Sequence, residues 1–210
     1  MIDRFNAILD TEACARVGRP PLDVARAFLA GGARFLQLRA KNLSGHEFLD
    51  LASAVVELAH RDQAVVIVND RADIARLAAA DGVHVGQEDL SPAAVRAIVG
   101  DTASVGLSTH TTEQIDAAVF QPVSYIAVGP VFGTVTKATG YEHVGLAMVR
   151  EAARRATARG LPLVAIGGIT LENAASVLDA GAASVAVISD LLAGGDPEAR
   201  VRAYRDRLWR

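Results

Sequence analysis

Eight short runs rich in β-branched residues recur along this chain, and between them apolar residues repeat at helical spacing. The runs are Phe5–Leu9, Arg34–Arg39, Ala64–Asn69, Gly82–Val85, Ser104–Leu107, Tyr125–Val128, Leu163–Ile166 and Ser184–Ile188. Strands that alternate with helices lie parallel, because each helix carries the chain back to the start of the next strand. Eight is the number that closes such a sheet on itself. The alternation therefore predicts a single (β/α)8 TIM barrel over residues 1–210, with an open doubly wound sheet as the alternative.

Helix boundaries are written into the sequence as capping chemistry. Ser44 and Glu47 form a capping box, and Phe48, Leu51, Ala52, Val55, Leu58 and Ala59 follow at helical spacing. Ser91-Pro92 and Asp196-Pro197 each place an N-cap before a proline at the first helical position, and Thr111 with Gln114 makes another box-like start. Gly100, Gly160 and Gly181 stand where helices would stop. In the last helix Val201, Tyr204 and Leu208 form an apolar stripe, and its arginines read as a solvated face.

Composition removes several classes of function. A formal net charge of −3 and a pI near 5.9 provide no field to draw in a nucleic-acid backbone or an anionic membrane, so anion binding requires a local cluster. The lone Cys14 has no intrachain partner and reads as a small buried residue in a reducing compartment. Charges enter at Asp3 and Arg4, and no apolar run approaches the roughly 20 residues of a membrane span, so the expectation is a cytoplasmic protein.

In this architecture chemistry gathers where strands run into helices, and the polar residues at those points are distinctive. In the stretch FLQLRAK, alternation puts Gln37, Arg39 and Lys41 on one face and Leu36, Leu38 and Ala40 on the other. Cations on the barrel face call for a matching anion or for an internal ion-pair layer. The third run ends in Asn69 and Asp70, and the fourth leads to Glu88 and Asp89. Asp70 and Asp89 suit Mg²⁺, which takes few carboxylates and fills its octahedron with water and phosphate oxygens, although aspartates after strands also cap helices. Ser108 adds a hydroxyl from the fifth strand, or a cap for the next helix. His84 and His110 are closest to the rim and read as packed or hydrogen-bonded, without a nucleophile beside them.

The loop GPVFGTVTKATG then brings Thr134, Thr136 and Lys137 together on a glycine-rich segment. The seventh and eighth runs close with AIGGI and VAVIS, where barrels bind phosphate through backbone N–H groups; Gly167, Ile188 and Ser189 are the candidates. Two anionic groups in one mouth result: a diphosphate at Gln37, Arg39, Lys41, Asn69, Lys137 and a metal, and a single phosphate at the far end. A diphosphate neutralised in this way is a good leaving group.

The segments QLRAK, VNDRADIA, ADGVHVGQEDL, GLSTH, GPVFGTVTK and AIGGI, in this order and spacing, resemble the motifs of the thiamine-phosphate synthase family over nearly the whole chain. The resemblance implies a Mg²⁺-dependent transferase that joins hydroxymethylpyrimidine diphosphate to hydroxyethylthiazole phosphate and releases pyrophosphate. It implies that the segment Gln37, Leu38, Arg39, Ala40, Lys41 with Asn69, Ser108 and Lys137 holds the pyrimidine substrate. It further implies that Asp70 and Asp89 bind the metal, that Thr134, Thr136, Gly167, Ile188 and Ser189 receive the thiazole phosphate, and that Val135 between the threonines belongs to the substrate-binding set. Arg39, Ser108 and Lys137 are the catalytic candidates. Two departures from the family stand out: Ala40 replaces a polar residue, on the face turned away from the site, and the threonine loop lacks prolines. The competing readings are a thiazole tautomerase-like barrel, for which Pro130 stands where a histidine is expected, an aldolase with Lys137 as Schiff base, and a phosphometabolite-binding barrel without catalysis.

Overall fold

The structure, a computed structural model, describes residues 2–133 and 142–209. Its strands are β1 (Phe5–Asp10), β2 (Phe35–Arg39), β3 (Val65–Asn69), β4 (Gly82–Val85), β5 (Ser104–Thr109), β6 (Tyr125–Val128), β7 (Leu163–Ile166) and β8 (Ser184–Val187). Every pair of neighbours is parallel, and β1 pairs with β8, so the eight strands close into a barrel. The closed barrel expected from the alternation is the one observed.

The helices between them are α1 (Thr11–Arg16), α2 (Pro21–Ala30), α3 (Gly45–Arg61), α4 (Ala72–Leu77), α5 (Pro92–Val99), α6 (Thr112–Ala118), α7 (Gly145–Thr157), α8 (Ala174–Asp179) and α9 (Pro197–Leu208). A 3-10 segment, Ser189–Gly195, follows β8. Among the described residues, no helix is long and apolar enough to cross a membrane.

Local chemistry explains why these elements begin where they do. Ser44 accepts from Glu47 N while Glu47 accepts from Ser44 N, a complete capping box that starts α3. Ser91 accepts from Ala94 N and Asp196 from Ala199 N, each ahead of a proline at the first helical turn. Thr111 accepts from Gln114 N, but the reciprocal bond runs from His110 N to Gln114 Oε1 at 2.7 Å, one residue earlier than a true box.

Alternation along each strand divides the core into two compartments. Ile8, Phe35, Ile67, Tyr125, Ala127, Val164 and Ala186 point inward and fill the barrel. The residues between them, such as Leu9, Leu36, Leu38, Val66, Val68 and Val185, pack outward against the helices. Phe48, Ala52, Val55 and Ala59 of α3 are buried in that outer layer. Each large apolar side chain buried here contributes about 1.5–3 kcal/mol relative to exposure. The last helix buries Val201, Tyr204 and Leu208 as its stripe predicts. Its arginines are not all solvated, however: Arg200 pairs with Asp190 at 2.8 Å and Arg205 with Asp3 at 3.4 Å.

Candidate active site

A cavity of about 420 Å³ opens inside the barrel on the side where strands end. Of the residues picked out in the sequence, Gln37, Asn69, Ser108, Gly167, Ile188 and Ser189 line it. Gln37 and Asn69 are both 5 % exposed. Leu38 and Ala40 turn the other way, into the helix-side core, and neither lines the cavity. Thr134, Val135, Thr136 and Lys137 lie outside the described residues.

Beside the cavity, the loops after β2, β3 and β4 form a charged rim. Asp70 follows β3 with φ of +64°, a left-handed conformation that aspartate tolerates better than most residues, and its N–H donates to His84 O at 2.8 Å. Lys41 Nζ forms an ion pair with Asp70. Asp89 Oδ2 accepts from Gly86 N at 2.7 Å, which folds the GQED loop back toward the barrel. Burial raises the Asp70 carboxyl above its ordinary value; the Lys41 bond opposes this, and the nearby Asp89 charge adds to the rise. Two carboxylates thus approach each other from adjacent strands, and neither caps a helix by its side chain.

Arg39 is already paired. Its Nη1 meets Asp10 Oδ2, as the register of Asp10 with Arg39 across β1 and β2 requires, and lies 3.9 Å from Glu12 Oε2. Asp10 also caps α1 through Ala13 N at 2.7 Å. The Arg39 Nε is buried and has no hydrogen-bond partner among the described residues.

Ser108 sits at the end of a buried hydrogen-bonded chain. Tyr125 Oη lies 3.0 Å from His84 Nδ1, and His84 Nε2 lies 2.8 Å from Ser108 Oγ. Burial pushes the Tyr125 phenol far above its ordinary value, so it keeps its proton. His84 Nδ1 is the acceptor in reach of that proton among the described residues. In the tautomer in which the phenol donates to Nδ1, Nε2 carries the ring proton and donates to Ser108, which leaves the serine proton for an acceptor in the cavity. His84 is thus hydrogen-bonded, as expected from the sequence, but it is not without a hydroxyl beside it: the pairing of β4 with β5 brings Ser108 Oγ to its Nε2, a contact that spacing in sequence does not show. His110 is hydrogen-bonded too, with Nδ1 2.6 Å from Gly129 O.

The opposite end of the mouth is shaped by glycines. Gly167 and Gly168 take φ of +101° and +64°, and an added Cβ would fall 2.5 Å from Pro130 Cα and 2.6 Å from Gly133 O respectively. Val131 N and Phe132 N donate to Ile166 O and Gly167 O at 2.9 and 3.0 Å, so the segments after β6 and β7 lie against each other. Asp190, beside Ser189, accepts from Leu171 N at 3.1 Å, from both Arg200 nitrogens and from the Tyr204 hydroxyl. It ties the loops after β7 and β8 to α9.

Sequence reasoning missed Asn6, Asp190 and the Tyr125–His84 pair. Asn6 had a usable signal, a lone amide at inward parity in an apolar strand. The other contacts join elements far apart in sequence and carry no local signal.

The sequence profile described as thiamine monophosphate synthase matches residues 5–191. A thiamine-phosphate synthase of Roseiflexus castenholzii is 42 % identical over 196 residues, 93 % of this chain and 85 % of that one. One from Koribacter versatilis is 47 % identical over 180 residues, covering 86 % and 82 %. The solved structure of a thiamine phosphate pyrophosphorylase from Pyrococcus furiosus superposes with a TM-score of 0.88 at 28 % identity, over 98 % of this chain and 95 % of that one. On the profile match, the relatives and the shared barrel, the chain belongs to the thiamine monophosphate synthase family.

Proposed function

We propose that this barrel transfers an aminopyrimidine methylene group from diphosphate to the nitrogen of a thiazole monophosphate, giving thiamine phosphate and pyrophosphate. The observation that carries the reading is the meeting of a Lys41–Asp70–Asp89 rim with a cavity lined by Gln37, Asn69 and Ser108 on one side and Gly167, Ile188 and Ser189 on the other. One end suits a metal-bound diphosphate and the other a single phosphate.

In this reading Gln37, Arg39, Lys41, Asn69 and Lys137 hold the diphosphate, with Leu38 and Ala40 packing behind them on the helix side. Thr134, Val135, Thr136, Gly167, Ile188 and Ser189 receive the thiazole phosphate. Asp70 and Asp89 would hold Mg²⁺; the fit rests on two hard oxygen donors from neighbouring strands, of which Asp70, although paired with Lys41, is raised by burial and by the Asp89 charge, a strain that a divalent cation between them would relieve. When bound, the ion supplies charge neutralisation to the departing diphosphate.

The chemistry left to the protein is placement. The methylene C–O bond breaks with its electron pair going to the diphosphate oxygen, where Arg39 and Lys137 stabilise the growing charge. The pyrimidine amino group spreads the positive charge of the methylene fragment, and Ser108 donates to the ring through the proton that the His84 bond leaves available. The thiazole nitrogen lone pair then forms the new C–N bond, so no protein nucleophile enters. Turnover tests this: with both substrates and Mg²⁺, pyrophosphate and thiamine phosphate form in equal amounts, and omitting Mg²⁺ stops the reaction. Absence of pyrophosphate release from the intact protein would refute the assignment.

A further inference from the structure

On the floor of the cavity, on β1, lies an amide that none of the roles above uses. Asn6 is 1 % exposed and lines the cavity, and neither its Nδ2 nor its Oδ1 has a hydrogen-bond partner among the described residues. Buried polar atoms are almost always paired, so an inward-facing amide with both ends unmet is either a defect or half of a recognition pair. We propose that Asn6 is a specificity-determining residue that reads an adjacent donor and acceptor on the edge of a planar nitrogen heterocycle, namely the amino group and neighbouring ring nitrogen of the pyrimidine.

Register fixes where Asn6 stands. Ile8 pairs with Gln37 across β1 and β2, so Asn6, two residues earlier at the same parity, lies one inward layer deeper than Gln37. Its neighbour across β8 is Ala186, whose small apolar side chain offers the amide no polar partner. In the ring of eight strands β1 stands opposite β5, which carries Ser108 one inward layer nearer the mouth, so two polar groups line the cavity from opposing walls at different depths. Around them Val164, Ile166 and Ala186 are apolar, which suits the faces of an aromatic ring. A side-chain amide offers one acceptor and a donor a fixed distance apart, and an aminopyrimidine edge offers the converse. Ser108 supplies a third point, a hydroxyl donor. A leucine at position 6 would fill the same space without that code.

This inference rests on the transferase reading, and its test separates the two. Binding of 4-amino-5-hydroxymethyl-2-methylpyrimidine, and of the analogue with hydrogen in place of the amino group, is measured for the wild type and for Asn6→Leu. The wild type prefers the amino compound by about 10- to 100-fold. Asn6→Leu binds it weakly and has lost the preference, while its KM for the thiazole phosphate is unchanged within about twofold. Since leucine removes two unmet polar atoms, the variant melts at or above the wild-type temperature, which separates a recognition role from a structural one. Asn6→Ala serves in its place should leucine prevent folding. An undiminished preference in the folded variant overturns the role of Asn6, whether or not the wild type turns over. A wild type that releases no pyrophosphate overturns the transferase reading instead.

Discussion

At Gly106 on β5, an added Cβ would sit 2.1 Å from Cζ of Tyr125 and 2.4 Å from Nδ1 of His84, well inside contact distance. The hydrogen-bonded pair that orients Ser108 thus occupies the space a side chain would need. Gly106→Ala is expected to cost about 1–3 kcal/mol by overpacking and to lower kcat as the His84–Ser108 bond is displaced; denaturant melts and steady-state rates check both. Tyr125→Phe removes the donor to Nδ1 while keeping the ring, so the tautomer of His84 is expected to change in ¹⁵N spectra while the barrel stays folded. Cys14 is a residue where burial decides reactivity: burial and the Asp10 charge push its thiol up to about 11. At pH 8 roughly one part in a thousand is thiolate, so alkylation by iodoacetamide should be slow until the protein unfolds. The sign of the linkage follows. An unfolded thiol ionises near about 8.5, so stability is unaffected below that pH and falls, on the order of 2–3 kcal/mol, as pH rises toward the folded value.

The 3-10 segment Ser189–Gly195 owes its position to one carboxylate, because Asp190 binds Leu171 N after β7 and both Arg200 and Tyr204 of α9. Asp190→Asn keeps the volume but removes the charge opposite Arg200. The expected loss is about 1–2 kcal/mol, modest because Arg200 reaches solvent, with a raised KM for the thiazole phosphate and little change for the pyrimidine. Elements of this kind divide sharply in how legible they were. The strands and the Ser44, Ser91 and Asp196 caps could be read from sequence because their determinants lie within a few residues of one another. Gln37, Asn69, Ser108, Gly167, Ile188 and Ser189 could also be placed, since parity and strand ends alone bring them to the cavity. The pairing of Arg39 with Asp10 could not be read, because it depends on the register between two strands. The same holds for Arg200, whose place in α9 suggests a solvated charge until β8 is set beside it.

Across the barrel as a whole, the helix-side layer and the inner layer carry the fold, and the proposed chemistry lies on the loops after the strands, so mutations at the two places should separate. Asp89→Ala is expected to reduce turnover about 100-fold or more, with a far smaller effect on melting since Asp89 stands outside both core layers. Calorimetry together with pyrophosphate assays distinguishes this from general destabilisation. The two cations on and after β2 also arrive already matched, Arg39 to Asp10 and Lys41 to Asp70. An incoming anion must therefore compete with a resident carboxylate for the charge of each cation, and a visitor bearing a single charge gains little from the competition. Chloride and acetate are turned away by competition before shape is consulted, and only a guest dense in negative charge prevails, so pyrophosphate should inhibit far more strongly than orthophosphate at equal concentration.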